Sequence, residues 1–302
     1  MKSNSFLNQI QKYLELSKLK IMIPVSLTGF TGFFICDPQI SFRIILVSAG
    51  ILLLGISASV LNQIQETDID YRMKRTHNRP LPAQIISVPH AFLFFFLMLV
   101  AGSILVFSYG NMKSAFIGVF AIIWYNGIYT YAKRITAFAV VPGAITGALP
   151  PLIGWVAAGG GLWDKPVILL EFLFFTGQIP HFWLLVLKYG DEYEKAGLPS
   201  LTGILSTQQI KRLTFTWVVT SVMAALFLSY FGIIHNVLII GILLIASVYL
   251  VWQFSGLLRP VSDYNSLRLY SILLYSYYLL IIILLISDRI LISHAGINKS
   301  LS

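Results

Sequence analysis

"RIILVSAGILLLGISASVLNQIQETDIDYRMKRTHNRPLP" (residues 43–82) decides the fold of this chain. Residues 44–61 carry no charged side chain, and a helix of roughly 20 such residues spans the hydrocarbon core of a bilayer. From Asn62 the character reverses: three carboxylates (Glu66, Asp68, Asp70) and four cations (Arg72, Lys74, Arg75, Arg79) crowd into residues 62–82. An apolar crossing therefore ends in a dense polar cluster. The first half implies a membrane protein, and the second half asks what the charge is for.

The rest of the chain repeats the first half. Of 302 residues, 57% are hydrophobic and only 11% charged, and the mean hydropathy is +0.80, more apolar surface than one soluble core buries. Apolar runs separated by charged or Gly/Pro breaks predict about nine spans, near 20–36, 43–63, 88–108, 113–132, 138–158, 166–187, 213–233, 235–255 and 268–287. The fold class expected is an all-α polytopic membrane protein, a single integral-membrane domain over 1–302 in contact with the lipid bilayer. Pro150 and Pro151 are expected to break or kink the fifth span. The first run follows "KLK" (18–20) without a small-residue cleavage site, so it is expected to stay as an anchor. Cys36 is the only cysteine, which excludes an intrachain disulfide and a CxxC-type site. A net charge of +9 does not imply nucleic acid, because the cations lie between apolar spans and not on one basic module.

Those cations are unevenly divided. With nine spans, sixteen Lys and Arg fall on the side of the N-terminus and five (Arg43, Lys113, Lys165, Arg289, Lys299) on the other. The positive-inside rule then predicts a cytoplasmic N-terminus and a C-terminus outside. Acidic residues sharpen the picture. Glu66, Asp68, Asp70, Asp191, Glu192 and Glu194 form two clusters, after the second and sixth spans, and both face the same compartment.

If the second span stays helical through Asp70, then Asn62, Glu66 and Asp70 are spaced i, i+4, i+8 and form one stripe about 12 Å long. Oxygen donors without His or Cys suit a hard cation such as Mg2+, which takes one or two carboxylates and completes its shell with water and substrate phosphates. Asp68 lies off the stripe, within reach of Arg72. The cations behind it match phosphate oxygens. Each cation taken alone is equally well a topology signal, and each loop acid a solvated partner. That reading does not explain an amide and two carboxylates in register at the end of an apolar helix.

Here the residues resemble a known family. "NxxxExxxD" at 62–70 followed by "MKRTHNRPL" (73–81) is similar to the first signature of the UbiA superfamily of intramembrane prenyltransferases, in the form carried by its heme-farnesylating branch. "YTYAKRITAFAVVPGAITGALPPLIGWVAAGG" (129–160), "GQIPHFWLLVLKYGDEYEKAGLPSL" (177–201) and "STQQIKR" (206–212) resemble the blocks that follow, so the likeness covers most of residues 15–215. The second "DxxxD" of many superfamily members is absent, since Lys195 stands four residues after Asp191; the heme branch instead resembles Glu192, Tyr193, Ala196 and Gly197 here.

The resemblance implies a bundle of about nine helices around a central cavity open to the cytoplasmic side. It implies that Asn62, Glu66 and Asp70 are catalytic and hold Mg2+, with Glu192 of the second cluster (Asp191, Glu192, Tyr193) a further candidate ligand. Arg72, Arg75, Arg79, Lys133, Arg134 and Lys188 are the candidate diphosphate contacts. On an unbroken sixth helix His181, Leu185, Lys188 and Glu192 share a face, with Gly190 the weak point in its continuity. His181 is either a hydrogen-bonded structural residue or a heme contact. The substrates implied are farnesyl diphosphate and heme B, the product heme O, and the candidate partners a heme A synthase or a terminal-oxidase assembly protein. Other readings are a UbiA-type enzyme acting on a quinone precursor or pigment, a transporter or channel, and a non-catalytic heme-binding assembly protein. The location expected is a bacterial inner membrane, because no Arg- and Ser-rich presequence precedes the first span.

Overall fold

The computed structural model describes residues 2–259 and 264–294. Among them nine helical segments are long and apolar enough to cross a membrane, and there is no strand. A short leading helix, α1 (Lys2–Leu16), precedes the first span. The spans are α2 (Leu19–Cys36), α3 (Phe42–Gln65), α5 (Val88–Tyr109), a composite of α6 (Met112–Ile123), a π-helical segment (Trp124–Tyr129) and α7 (Thr130–Ile135), α8 (Val140–Ala158), α9 (Lys165–Lys195), α10 (Thr207–Tyr230), α11 (Val237–Ser255) and α12 (Tyr264–His294). The remaining helix, α4 (Thr67–Arg72), lies at the end of α3. Lys299, counted above in the charge balance, lies outside the described residues.

Lipid cannot satisfy a free backbone amide, so each crossing closes its hydrogen bonds within a helix. Side chains settle where several crossings begin. Asn111 and Ser206 form capping boxes with Ser114 and Gln209, and Asn236 accepts from the amides of Leu238 and Ile239. Two expectations about continuity are corrected. Pro150 and Pro151 do not interrupt the fifth span, which runs as one helix over Val140–Ala158. Gly190 does not interrupt the sixth, which continues to Lys195; its missing side chain makes room for Thr202, whose Cγ2 would lie 2.6 Å from a Cβ there.

Consecutive spans pack side by side, and α12 closes the ring against α2. The exception is α8, the most buried of the spans, which packs on α2, α6 and α9. Its contact with α2 is backbone to backbone: a Cβ on Gly154 would strike the Gly29 carbonyl, and one on Gly32 would strike Pro151. Small residues bring membrane helices together in this way when no water drives them. Alternating crossings gather α1, α4 and the segments around 73–87, 136–139, 196–206 and 256–259 at one end of the bundle, the charged end.

Candidate active site

The charged cluster begins where α3 stops. Glu66 leaves helical geometry (φ −111°, ψ 12°), so α3 and α4 are separate helices and the unbroken helix expected through Asp70 is not formed. The register nevertheless survives. The Glu66 amide donates to the Asn62 carbonyl at 3.0 Å and the Asp70 amide to the Glu66 carbonyl at 2.8 Å, so the three polar residues still follow one another along one side. All three are buried, at 3%, 7% and 4% exposure, a placement that costs free energy unless each polar group has a partner.

The partners come mainly from the fourth span. Its π-helical segment ends at Thr130, whose amide and hydroxyl both donate to the Tyr125 carbonyl five residues back, the hydroxyl at 3.0 Å. The Asn62 Nδ2 donates to the Thr130 Oγ1 at 3.1 Å. That bond sets the amide with its Oδ1 directed away from Thr130. One turn on, Lys133 forms an ion pair with Glu66, and its Nζ stands 5.2 Å from the centre of the Tyr129 ring. Arg79 returns from the loop after α4 and binds both oxygens of Asp70, at 2.9 and 2.7 Å. Both carboxylates thus meet a cation, which offsets much of the cost of burying them.

Below these pairs lies a cavity of about 240 Å³ lined by Lys18, Asn62, Glu66, Asp70, Arg75, Arg79 and Lys133 at its polar end. Tyr125 and Tyr129 line it beside the polar end, and Val140, Phe182, Trp183, Leu185 and Val186 form an apolar wall. Four cations face two carboxylates, an excess of positive charge suited to a polyanion. Arg75 is held at the rim by Tyr193, whose hydroxyl is 3.4 Å from its Nη2, and by the ring of Tyr189, 4.7 Å from its Cζ. Burial, and next the neighbouring Arg79, push the Lys18 ammonium down to about 7.

Not all the expected site residues reach this cavity. Arg134 turns away, donating to the Gln65 carbonyl at 2.5 Å and to Asp68 at 3.1 Å, where it caps the end of α3. Asp68 consequently pairs with Arg134 and not with Arg72. Arg72 instead lines a second, separate pocket with Asp68 and Tyr71. Lys188 lies beside the Tyr189 ring, and of the second cluster Tyr193 lines the cavity while Asp191 and Glu192 do not. His181 is one turn deeper than Leu185, and its Nδ1 is 2.7 Å from the Tyr275 hydroxyl. Sequence reasoning missed Lys18, Tyr125, Tyr129 and Thr130. The spacing Tyr125, Tyr129, Lys133 was a visible i, i+4, i+8 signal, whereas Lys18 looked like one more cation flanking a span.

Among the described residues no group of three or more His, Cys, Asp and Glu side chains could hold a metal ion. The oxygen donors that do converge are the Asn62 amide and the Glu66 and Asp70 carboxylates, all lining the cavity. Such a set fits Mg2+, which is usually bound through one or two carboxylates together with substrate phosphates.

Residues 25–276 match the model of the UbiA prenyltransferase family. A protoheme IX farnesyltransferase of Oleidesulfovibrio alaskensis is 32% identical over 280 residues, 92% of this chain and 96% of that protein. One from Geobacter sulfurreducens is 42% identical over 154 residues, 51% of this chain and 57% of that protein. Among solved structures, a digeranylgeranylglyceryl phosphate synthase superposes with a TM-score of 0.74 at 19% identity, over 94% of this chain and 99% of that one. A UbiA homolog from Archaeoglobus fulgidus bound to DMAPP and Mg2+ superposes with a TM-score of 0.62 at 18% identity, covering 91% and 99%. These structures share the fold: a ring of membrane-spanning helices.

Proposed function

Since the chain belongs to the UbiA prenyltransferase family, we propose that it transfers the farnesyl group of farnesyl diphosphate to the vinyl group of protoheme IX, heme B, giving heme O. The observation that carries the reaction is the placement of two buried carboxylates and four cations at the mouth of an apolar, aromatic-walled cavity. The acceptor rests on likeness to the protoheme IX farnesyltransferases, with one of which this chain aligns over almost the whole length of both. The charged end is assigned to the cytoplasm on the division of sixteen cations against five, and the protein to a bacterial inner membrane on its likeness to bacterial protoheme IX farnesyltransferases.

Diphosphate leaves only when its growing charge is met. Mg2+, held by Asn62, Glu66 and Asp70 and by the diphosphate itself, would supply part of that compensation. The protein supplies the rest through a change of partners. In the structure Arg79 pairs with Asp70 and Lys133 with Glu66. With those carboxylates holding a metal, Arg79 and Lys133 would be available to the phosphate oxygens, with Arg75 at the rim. The farnesyl chain extends along Val140, Phe182, Trp183 and Val186, where few water molecules could intercept an allylic cation. The rings of Tyr125 and Tyr129 stand beside the polar end, placed to stabilise that cation through their faces. The acceptor vinyl then adds to it, and water completes the hydroxyethylfarnesyl side chain. His181, fixed by Tyr275 one turn below the cavity wall, is the side chain assigned to hold the heme.

The test is incubation of membranes containing the protein with heme B, farnesyl diphosphate and Mg2+, followed by mass analysis for heme O. Heme O formed only with Mg2+ supports the reading. Diphosphate released without heme O would move the acceptor to a quinone precursor or pigment. Neither product from folded protein would overturn it.

A further inference from the structure

We infer that Lys18 is a direct contact to the diphosphate of the prenyl donor, and that Gln63 is the residue that positions it. The inference rests on the diphosphate reading of the cavity and adds to it a cation from the first span.

Lys18 stands at the break between α1 and α2 with φ 45° and ψ 43°, a left-handed conformation that L residues other than glycine, asparagine and aspartate rarely adopt. The break is pinned from several directions. Gln63, itself buried, reaches back from α3 and donates through Nε2 to the Leu16 carbonyl at 2.7 Å. The Ser17 hydroxyl donates to the Tyr13 carbonyl at 2.7 Å, and the amides of Ile21 and Met22 both go to the Lys18 carbonyl. Gln63 directly follows Asn62, so one turn of α3 both lines the cavity and holds the residue opposite.

What the pinned conformation achieves is to bring the Lys18 side chain into the cavity wall with Asn62, Glu66, Asp70, Arg79 and Lys133. The other three cations there already have partners: Arg79 has Asp70, Lys133 has Glu66, and Arg75 has Tyr193. The Lys18 ammonium forms no hydrogen bond or ion pair with a described residue, and the two carboxylates nearest it, Asp70 and Glu66, are already held by Arg79 and Lys133. Half-buried, with Arg79 and Lys133 acting on it as well as their carboxylate partners, an ammonium without a hydrogen bond of its own opposes stability. A cation flanking a span merely for topology would extend to the surface. A strained backbone, a dedicated buried glutamine and an unpaired ammonium are explained together if a polyanion completes the site.

Purified full-length protein in detergent, titrated calorimetrically with inorganic diphosphate and Mg2+, tests this directly. Lys18→Gln should weaken binding about tenfold or more, Lys18→Arg should recover most of it, and Gln63→Leu should weaken it less than Lys18→Gln. In turnover, Lys18→Gln should raise KM for the prenyl diphosphate and leave KM for the acceptor unchanged. Without ligand, the unfolding midpoint of Lys18→Gln should equal or exceed that of the wild type, because an unpaired buried charge has been removed. A Lys18→Gln protein that binds within twofold of wild type overturns the inference while leaving the diphosphate reading intact. So does one whose midpoint falls and whose binding Lys18→Arg does not restore. Wild-type protein that binds no Mg–diphosphate overturns the reading of the cavity and this inference with it.

Discussion

The two ends of the bundle both hold buried charge, and they use it differently. At the end away from the cavity the charged groups named here serve backbone amides and carbonyls near helix ends, and in one case an indole as well. Arg43 donates to the Tyr109 carbonyl at 2.7 Å and to the Ala157 carbonyl at 2.5 Å, closing the last turns of α5 and α8. Asp288, wholly buried, accepts from the amides of His235 at 3.1 Å and Asn236 at 2.7 Å just before α11. Asp164 accepts from the Trp155 indole at 3.0 Å and the Gly161 amide at 2.6 Å. Backbone groups left over at helix ends require such partners, and these pairings are final. At the charged end the pairs are side chain to side chain, Arg79 with Asp70 and Lys133 with Glu66, and they border an open cavity. Charge spent on a backbone carbonyl or amide builds the scaffold, while charge paired with an opposite side chain beside a cavity can be exchanged for a ligand.

That contrast can be broken by substitution. Its strongest consequence concerns Asp70: Asp70→Asn should lower product formation about 10^3-fold or more while shifting the unfolding midpoint little. A collapse of the fold with that change would place Asp70 with the scaffold charges. Asp288→Ala should do the reverse. Loss of a buried acceptor that serves backbone amides costs about 2–4 kcal/mol in unfolding measurements, with KM for farnesyl diphosphate unchanged in the folded fraction; a raised KM would dissolve the distinction between the two ends. Arg134→Gln sharpens the boundary, because Arg134 stands at the charged end yet behaves as a cap on the Gln65 carbonyl. It should lose about 1 kcal/mol or less through a pair with Asp68 that is partly exposed, and turnover should fall less than about tenfold.

The spans were legible in the sequence because a bilayer demands long apolar runs, and nine runs became nine crossings. Their ends were less so. Hydropathy closed the sixth span near 187, but α9 continues to Lys195 because a helix can carry polar residues once it has left the lipid. Hydropathy opened the seventh near 213, although the capping box at Ser206 and Gln209 starts α10 at Thr207. Within the site, the spacing of Asn62, Glu66 and Asp70 was readable because successive residues four apart share a helix face. Which cation would face which carboxylate was not, since Arg79 comes from a loop and Lys133 from another span. Charge density alone could not separate Arg134, which caps α3, from Lys133, which lines the cavity. Lys18 was hidden for the same reason, because the backbone turn that directs it inward leaves no mark in composition.

The π-helical segment at Trp124–Tyr129 sets the phase of everything after it on the fourth span. A wider turn accommodates one residue more than an α-helix would over the same length, and one residue is worth about 100° of rotation. Upstream of the segment, Gly118 packs closely on Leu54; downstream, Thr130 and Lys133 meet Asn62 and Glu66. A regular helix could satisfy one of these faces and not both. Deleting a single residue between 124 and 129 would leave the crossing apolar, long and helical, yet it would swing Lys133 away from Glu66 by about a quarter of a turn. A length change that a membrane helix tolerates elsewhere would here erase the site without disturbing the span.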